Sequence, residues 1–326
     1  MNIVQDIGFR GEQNLQVLRD GVVVRETGFQ PNLILDEWFT RLLTPGNSGN
    51  LNGYSSSRCA VGTGTTAPNP TQTNLVSFLA GASGSNSDIT VGSNGIVSNY
   101  KEVWIQRIFN FAEGAVVGNV AEVGTTIDNI VPIASTPLLT RALVVDVNGN
   151  PTTIAVTAAE QLRVIHRLYT RLSNVPVTGT LSLTTGGATN NYNYDLRLDD
   201  SANQWGRYGF LDAPSYRDGF PGRGETVHQT MSQNPNLAAP TTSGTSVQIG
   251  NGAAVSQTLI SRVKTGLSIA ITWEIPATNG NIAGGFEGIK GGSWASTAWS
   301  LTFSPKIPKT NLNKFRYTIT FNFARI

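Results

Sequence analysis

Apolar side chains stand at every second position in residues 315–323, with polar side chains between them. Successive side chains of a β-strand point to opposite faces, so this alternation predicts a strand with one buried face. Residues 103–111 show the same pattern, with Arg107 as an exception among Val103, Ile105, Phe109 and Phe111. A chain with such segments is expected to be mainly β, with one or two antiparallel modules of the sandwich type.

Two dipeptides predict tight turns between strands. Asp20-Gly21 separates two β-prone runs near the amino terminus, and Asn148-Gly149 separates two more within residues 139–156. Both dipeptides accept the positive φ angles that a two-residue hairpin requires. The chain is therefore expected to open with a hairpin and to form another around the second dipeptide.

One segment near the amino terminus has the spacing of an amphipathic helix. Its apolar stripe falls at i, i+3, i+4, i+7 and i+8, and Pro45-Gly46 ends the pattern. The stripe is expected to face the core rather than a membrane or a partner. It consists of Leu35, Trp38, Phe39, Leu42 and Leu43.

The next segments carry weaker patterns. Residues 58–64 predict a short strand that runs into a loop. Leu75, Phe78 and Leu79 predict a single helical turn closed by a glycine. Residues 81–99 are mostly small and polar, so a surface excursion is expected there.

Residues 161–172 satisfy both a helical and an alternating pattern. Thr157 and Glu160 fit a capping box, which favours a helix. A comparison within the chain favours a strand, because the spacing within residues 154–164 is repeated in residues 307–317, where the alternation is clean. Residues 118–121 likewise resemble residues 280–283, in the same order. A duplicated β unit and chance similarity in a chain rich in Thr, Gly and Asn are both open interpretations.

These patterns divide the chain into three expected segments. Residues 1–50 hold the hairpin and the helix and are the candidate docking segment, and residues 51–172 form a β module. Residues 173–326 hold a loop-rich region and a second β module. A single domain is the alternative.

The loop-rich region, residues 174–252, is rich in Gly, Pro, Asn and Tyr, and residues 190–194 are among its most loop-like parts. Loops of this length are usually functional or become ordered against a partner. We therefore expect this region to contact a partner or a receptor.

Charged residues are scarce. Asp, Glu, Lys and Arg make up 13% of the 326 residues, and the formal net charge is +2. Soluble monomers normally keep a charged coat, so a weakly charged chain is expected to bury much of its exterior against other subunits. No run of Lys or Arg could follow a phosphate backbone, so nucleic acid is not an expected partner.

The single cysteine, Cys59, rules out a disulfide within the chain. The amino terminus shows neither the basic region nor the apolar stretch of a secretory signal, and no segment approaches the length of a membrane span. Synthesis in a cytoplasm and no membrane insertion are expected.

Few residues could carry nucleophilic or metal chemistry. Cys59, His166 and His228 meet the bare count for a Cys–His pair, but no nucleophile motif surrounds the cysteine. Zinc also lacks a close-spaced pair of ligands. A buried, unreactive thiol is the expected role of Cys59. The sequence predicts no catalytic, cofactor-binding or metal-binding residue, no cofactor and no enzymatic activity.

Two glycine-containing segments resemble ligand loops in part. Asp146, Asn148 and Asn150 match the first three positions of a calcium loop, but Thr157 stands where a bidentate Glu is required. A hairpin turn is the favoured interpretation. Residues 284–291 lack the Gly-Lys-Ser/Thr ending of a phosphate loop, so turns or a β-bulge are expected.

Residues 195–225 place carboxylates beside aromatic rings, a combination that suits sugars. A glycosidase would require two of these carboxylates across a cleft. The favoured interpretation is that the rings pack a large loop and the acids solvate its rim. The residues are Asp199, Asp200, Asp212 and Asp218 with Trp205, Tyr208, Phe210, Tyr216 and Phe220.

Residues 59–75 contain Val-Gly-Thr-Gly, then a Thr/Pro loop, then a short apolar turn. This order resembles a pattern common in structural proteins of tailed bacteriophages. Residues 109–114, 120–124 and 138–143 and the strand after Glu160 look like the rest of that pattern, which covers about residues 1–172. The resemblance implies a β-rich component of the virion tail, neck or appendages, present in symmetric copies.

We therefore expect a virion structural protein made in the host bacterial cytoplasm and assembled as a symmetric homo-oligomer in the tail, neck (collar) or appendage region. Its expected partners are copies of itself and other virion proteins. Two alternatives are a head decoration protein of the capsid and a glycan-binding adhesin that contacts the host surface or a receptor.

Overall fold

The computed structural model describes residues 2–43, 58–84, 88–97, 99–126, 134, 137–173, 175–185, 187–198, 227–228, 254–255, 258–278, 285–293 and 296–326. These residues form a mainly β protein with antiparallel sheets, which confirms the predicted fold class. They contain one α-helix, α1 (Asp36–Leu43). No helix in the described residues is both long and apolar enough to span a bilayer.

The strands up to residue 143 are β1 (Asn2–Arg19), β2 (Val22–Glu26), β3 (Gln30–Ile34), β4 (Arg58–Gly62), β5 (Phe78–Ser83), β6 (Ile89–Val97), β7 (Tyr100–Asn110), β8 (Gly118–Val120), β9 (Glu122–Thr126) and β10 (Thr140–Leu143). The later strands are β11 (Ile154–Val156), β12 (Gln161–Ser173), β13 (Val177–Thr185), β14 (Ala188–Leu198), β15 (Val227–His228), β16 (Ala254–Val255), β17 (Thr258–Thr265), β18 (Ser268–Ile275), β19 (Phe286–Ser293), β20 (Ser296–Ile307) and β21 (Phe315–Arg325).

The larger sheet has thirteen strands and is organised around β1. On one edge β1 pairs with β12, which leads to β7 and then β6. Along its other edge β1 pairs in turn with β21, β3 and β2. The sheet continues from β21 through β18 to β17, and from β3 through β10, β9 and β4 to β5. The long first strand therefore belongs to every branch of the sheet.

A four-stranded sheet, in the order β13-β14-β20-β19, packs on the larger sheet. The ring of Phe315 on β21 lies 5.1 Å from that of Phe286 on β19 and 5.8 Å from that of Phe303 on β20, measured between centroids. These edge-on contacts belong to a hydrophobic cluster that includes side chains of both sheets. The two sheets therefore share one hydrophobic core, and the sandwich arrangement stays a prediction.

The helix completes this first cluster. Trp38 and Phe39 are buried, and their rings lie 4.6 and 6.1 Å from that of Phe9 on β1. Leu35 is buried as well, so the apolar stripe faces the core as predicted. The side chains of Leu42 and Leu43 lie outside the described residues.

A second hydrophobic cluster lies further along β1 and includes side chains from the branch of the sheet that ends in β5. Cys59 and Val61 of β4 meet Leu15 and Val17 of β1 in this cluster. The two clusters share the strands β1, β12 and β7. The division of the chain into three segments stays a prediction.

A row of buried polar side chains lies between the two clusters. Gln13 of β1 is opposite His166 of β12, and His166 is opposite Arg107 of β7. All three are at most 1% exposed. Residues on one side of the row along each strand belong to the first cluster, and those on the other side belong to the second. The predicted exception in residues 103–111 thus marks the boundary between two cores.

The helical turn predicted at Leu75, Phe78 and Leu79 is wrong, because β5 begins at Phe78. The backbone N–H groups of Val76 and Ser77 donate to the carboxylate of Glu122, at 3.1 and 2.8 Å. A distant side chain therefore takes up donors that a helical turn would have left free at its start.

The excursion predicted for residues 81–99 is wrong as to backbone structure, because most of that segment forms β5 and β6. The side chains described there are exposed or half-buried, so the segment does lie at the surface. Small residues here allow close packing. A Cβ atom at Gly92 would overlap the Trp104 ring, and one at Gly84 would overlap the guanidinium of Arg107. The small residues of this segment therefore make room for large neighbouring side chains and do not indicate a loop.

Residues 190–194, predicted as loop, lie within β14. Tyr192 is buried in the first cluster, whereas Asn191 and Asn193 are exposed on the opposite face. The asparagines of this segment lie on the face of the strand that meets solvent. Their polarity therefore reflects an exposed strand face and not a loop.

The first predicted hairpin is confirmed, with β1 and β2 joined at Asp20-Gly21, both with positive φ. The second is only partly correct. A turn with positive φ at Gly149 is present, but only Val145 and Pro151 are bridged, and β11 pairs with β8 instead. Proline has no N–H group to extend the ladder.

The strands predicted at residues 58–64, 103–111, 161–172 and 315–323 are confirmed as β4, β7, β12 and β21. The two similarly spaced segments have similar turns, since Glu160 N donates to Thr157 O and Asn313 N to Thr310 O, each at 3.1 Å. Their partners differ, because β11 pairs with β8, whereas β20 pairs with β14 and β19. Residues 280–283 lie outside the described residues, and the duplication stays a prediction.

Candidate interaction surfaces

The residues considered for nucleophilic chemistry are buried where the structure describes their side chains. Cys59 lies in β4 with no exposed surface, and burial raises the pKa of its thiol above the ordinary value. His166 is 1% exposed, and burial lowers its pKa to about 3. His228 pairs in β15, but its side chain lies outside the described residues. Neither buried side chain could meet a substrate from solvent in this arrangement.

The calcium-like segment forms a hairpin turn. Oδ1 of Asp146 accepts hydrogen bonds from the backbone N–H groups of Asn148 and Asn150, each at 2.9 Å. These bonds lower the pKa of Asp146, the bond from Asn150 first. The described part of the chain holds no group of three or more His, Cys, Asp or Glu that could bind a metal.

Two other segments were singled out in the sequence. In the glycine-rich segment, Gly285 has a φ of 85° and β19 is bulged on both sides of residue 289, as the sequence predicted. In the acidic and aromatic segment, Asp195 lies in β14, whereas every other acid and ring named there lies outside the described residues.

The face of β1, β12 and β7 that points away from the two clusters forms a polar surface, here called the arginine face. Its side chains alternate with the buried ones, and Phe29, just before β3, covers part of it. The face consists of Arg10 and Glu12 from β1, Arg163, Arg167, Tyr169 and Arg171 from β12, Tyr100, Glu102, Trp104 and Gln106 from β7, and Phe29.

One half of the arginine face is an ion-pair network centred on Glu102. Arg10 binds its carboxylate through two N–H groups at 3.0 Å, Arg171 through Nη2 at 2.9 Å, and Asn94 through its amide at 3.1 Å. Arg10 also pairs with Glu12. Burial raises the pKa of Glu102, but the hydrogen bonds from Arg10 and Arg171 outweigh it, so the pKa falls to about 2.

Glu12 and Glu102 share Arg10, and neither belongs to the carboxylates of residues 195–225 that the glycosidase hypothesis names. A general acid has to be protonated near the working pH. A carboxyl group with a pKa of about 2 is ionised at neutral pH. Glu102 therefore suits the role of an anchor that holds two arginines in place.

The other half of the arginine face is centred on Arg167. Arg167 lies between two rings, 4.2 Å from the centroid of Phe29 and 4.6 Å from that of Trp104. Its hydrogen bonds go to Gln106 Oε1, at 2.6 and 3.2 Å, and to the Tyr169 hydroxyl at 3.2 Å. Among the described residues no carboxylate pairs with it.

A completely buried ion pair between Glu122 and Arg141 joins β9 and β10. Nε of Arg141 donates to Oε2 of Glu122 at 2.9 Å. Arg141 also donates to the backbone oxygen of Thr66 and to the side chain of Gln72, at 2.8 and 2.9 Å. The ion pair therefore reaches into the loop between β4 and β5.

The ends of that loop, residues 63–77, are hydrogen-bonded to each other, and the Glu122 carboxylate binds its backbone. Thr63 N donates to Ser77 O at 2.9 Å, and the two hydroxyls are hydrogen-bonded at 2.8 Å. Glu122 accepts the N–H group of Gly64 at 3.0 Å as well as those of two residues at the far end of the loop. Compact loops of this kind are frequently functional.

The same contacts unite three segments of the sequence. Three of the segments on which the predicted resemblance rests meet at this ion pair: residues 59–75, 120–124 and 138–143. The sequence held a signal for it, since Glu122 and Arg141 are opposite charges placed singly in short apolar runs. We did not predict their pairing.

Strand β5 forms an outer edge of the larger sheet, pairing within the described residues with β4. Phe78 is 43% exposed at its start, and Val76 in the adjoining loop is 52% exposed. Residues 59–87 contain no Asp, Glu, Lys, Arg or His. Edge strands of monomeric proteins are usually protected by charge, proline or a covering element.

The outer face of the four-stranded sheet carries three rungs of uncharged hydrogen bonds. Thr180 bonds Asn193 at 3.2 Å and Ser182 bonds Asn191 at 2.6 Å. Thr184 and Thr189 complete the series at 2.8 Å. All six side chains belong to exposed residues, so their remaining donors and acceptors meet solvent.

Comparison of the chain with protein-family models, with curated proteins and with solved structures gives no match.

Proposed function

We propose that this chain is a structural component of a tailed-phage virion that acts by assembling with copies of itself and with other virion proteins in the tail, neck or appendage region. The single observation that carries the proposal is the uncharged edge at β5 with exposed Phe78 and Val76. An edge of this kind invites association with another protein.

The loop beside this edge supports the same proposal. Residues 63–77 are anchored by a buried ion pair and by several backbone hydrogen bonds. Because the loop is already ordered, it loses little conformational entropy when it binds a partner. The scarcity of charge over the whole chain fits a protein whose exterior faces other subunits.

Two measurements test the proposal. Sedimentation of the purified full chain over a range of concentrations should show a defined oligomer. Mass spectrometry of separated heads and tails from the source particle should find the chain with tails or connectors. Recovery with tail-free capsids would favour a head decoration protein instead. A monomer at high concentration that is absent from particles would refute the proposal.

The contribution of the β5 edge can be tested separately. Phe78→Lys places a charge on the edge and should reduce incorporation of the protein into particles. The matched control is Leu312→Lys, because Leu312 is 85% exposed and lies far along the chain on the turn before β21. Equal incorporation of both variants would exclude this edge as a contact.

A glycan-binding adhesin is the second candidate, and the hydroxyl and amide rungs favour it. Hydroxyl and amide groups both donate and accept hydrogen bonds, as sugar hydroxyls do. Ser182→Ala combined with Asn191→Ala should abolish binding to host surface polysaccharide. The control is Thr318→Val, which removes a similar rung with Thr272 on the larger sheet. Unchanged binding in the double variant would remove this face as the site.

A further inference from the structure

The arginines of the arginine face are not all paired with carboxylates. The four arginines lie on β12 and β1. Of the acids on the same face, Glu12 and Glu102 belong to the network around Arg10, Asp6 lies nearer the start of β1, and Glu26 lies on β2. Arg163 bonds Asn110 through Nε at 3.0 Å. Within the described residues, Arg163 and Arg167 have no carboxylate partner. Glu26 on β2 bonds Asn14 and Gln16.

Both arginines retain N–H donors for a partner. A guanidinium has five N–H groups, of which Arg167 uses three and Arg163 uses one in the contacts described. Arg163 keeps both terminal nitrogens, which is the geometry that binds a carboxylate through two parallel hydrogen bonds. Phe29, 43% exposed, and half-buried Trp104 supply apolar surface beside Arg167.

One end of the same molecule carries the opposite charge. β1 ends where β12 begins and β7 ends, so the adjoining turns lie at one end of the sheet. Asp20 and Glu113 are exposed on these turns. Asp146 lies on the turn after β10, and β3 connects β10 to β1 so that β10 runs towards this same end.

This end, here called the acidic end, carries the carboxylates of Asp20, Glu113, Asp146 and Glu160. Glu160 is shared by Arg19 and Arg25, at 2.8 and 2.7 Å. None of the described cations pairs with the other three carboxylates, those of Asp20, Glu113 and Asp146. The arginine face adjoins this end at Arg163, which is opposite the last residue of β7. The same turns expose three valines: Val22, Val117 and Val147.

We propose that the acidic end of one copy of this chain binds the arginine face of the next. The inference rests on the proposed function, because it names the partner and the two surfaces of self-assembly. Carboxylates at Asp20, Glu113 and Asp146 meet the open guanidinium groups of Arg163 and Arg167. The exposed valines cover Phe29 and Trp104, which excludes water from the contact.

Such a contact joins two different surfaces, so it is head-to-tail. Each copy keeps one free face and one free end until the series closes, and a head-to-tail contact closes as a ring when the rotation permits. The predicted assembly is a cyclic oligomer rather than a two-fold dimer.

Charge reversal on the full chain tests the contact. One variant carries Arg163→Glu and Arg167→Glu, and the other carries Asp20→Lys, Glu113→Lys and Asp146→Lys. Each alone should weaken self-association by about tenfold or more, measured by sedimentation at low salt. Lys264→Glu, on the exposed strand β17, is the matched control and should leave association unchanged. Circular dichroism confirms that each variant is folded.

Mixing the two variants gives the decisive result. Their reversed surfaces are complementary to each other, and their remaining surfaces match as in the original chain, so the mixture should regain association. Raising the salt concentration should weaken the original assembly. If both variants assemble normally, or if mixing restores nothing, this contact is wrong while self-assembly stands. If the unaltered chain never self-associates, the proposed function fails as well.

Discussion

The Nη2 atom of Arg141 lies 2.8 Å from Oε2 of Glu122, and neither side chain has any exposed surface. A buried ion pair is costly unless its remaining hydrogen-bonding groups are satisfied. Here three backbone N–H groups of the loop 63–77 satisfy the carboxylate, and Thr66 and Gln72 satisfy the guanidinium. The ion pair and the loop therefore stabilise each other.

Arg141→Met should destabilise the fold by about 3–5 kcal/mol, because it leaves Glu122 buried without its counter-charge. Urea denaturation followed by tryptophan fluorescence measures the change. Arg316→Met is the control, since Arg316 pairs with Glu274 at 2.7 Å but is 58% exposed, and its loss should be much smaller. Similar losses in both variants would contradict the role assigned to burial.

Gly64→Ala should also destabilise the loop. A Cβ atom at this position would overlap Oε1 of Glu122 and Cβ of Val76, so the carboxylate or the loop would have to shift. The expected loss is about 1–3 kcal/mol, the usual range for overpacking. Thr65→Ala, at an exposed position in the same loop, is the control and should change stability little. A stable Gly64→Ala variant would show that the loop can adjust.

His166 should make stability depend on pH. Its pKa is about 3 in the folded protein, because burial disfavours the charged form, and about 6.5 when unfolded. Below pH 6.5 the unfolded state binds more protons, so stability falls as pH falls, by up to about 1.4 kcal/mol per pH unit. Its cross-strand neighbours are Gln13 and the cationic Arg107, which offer no negative charge.

The measurement compares urea denaturation at pH 6.5 and pH 5, where carboxyl groups in the unfolded chain are still largely ionised. His166→Gln should remove most of the difference between the two pH values. An equal pH dependence in that variant would assign the effect to another group. Glu102 acts separately, since its pKa of about 2 makes its contribution disappear only as pH falls below about 4.5.

Cys59 should resist thiol reagents in the folded protein. It has no exposed surface, and burial raises its pKa, so little thiolate forms at neutral pH. A colorimetric thiol reagent should report almost no reaction in buffer and one equivalent in denaturant, since the chain has a single cysteine. Rapid reaction of the native protein would show that β4 opens readily.

The amino-acid sequence by itself determined much of the local structure. Alternating apolar residues specify one buried face, so β7 and β21 could be predicted, and the apolar stripe specified α1. Asp20-Gly21 fixed the first hairpin because both residues tolerate positive φ. The scarcity of charge was likewise visible, and it remains the main sequence argument for assembly.

The tertiary structure alone decided which distant segments meet. Glu122 turned residues 75–77 from a predicted helical turn into an anchored loop, and β11 paired with β8 rather than with the nearer β10. The arginine face likewise depends on the register of three strands, of which β1 and β12 are far apart in the chain. Local patterns fix which side of a strand is buried, but pairing depends on packing and hydrogen bonds between residues far apart in sequence.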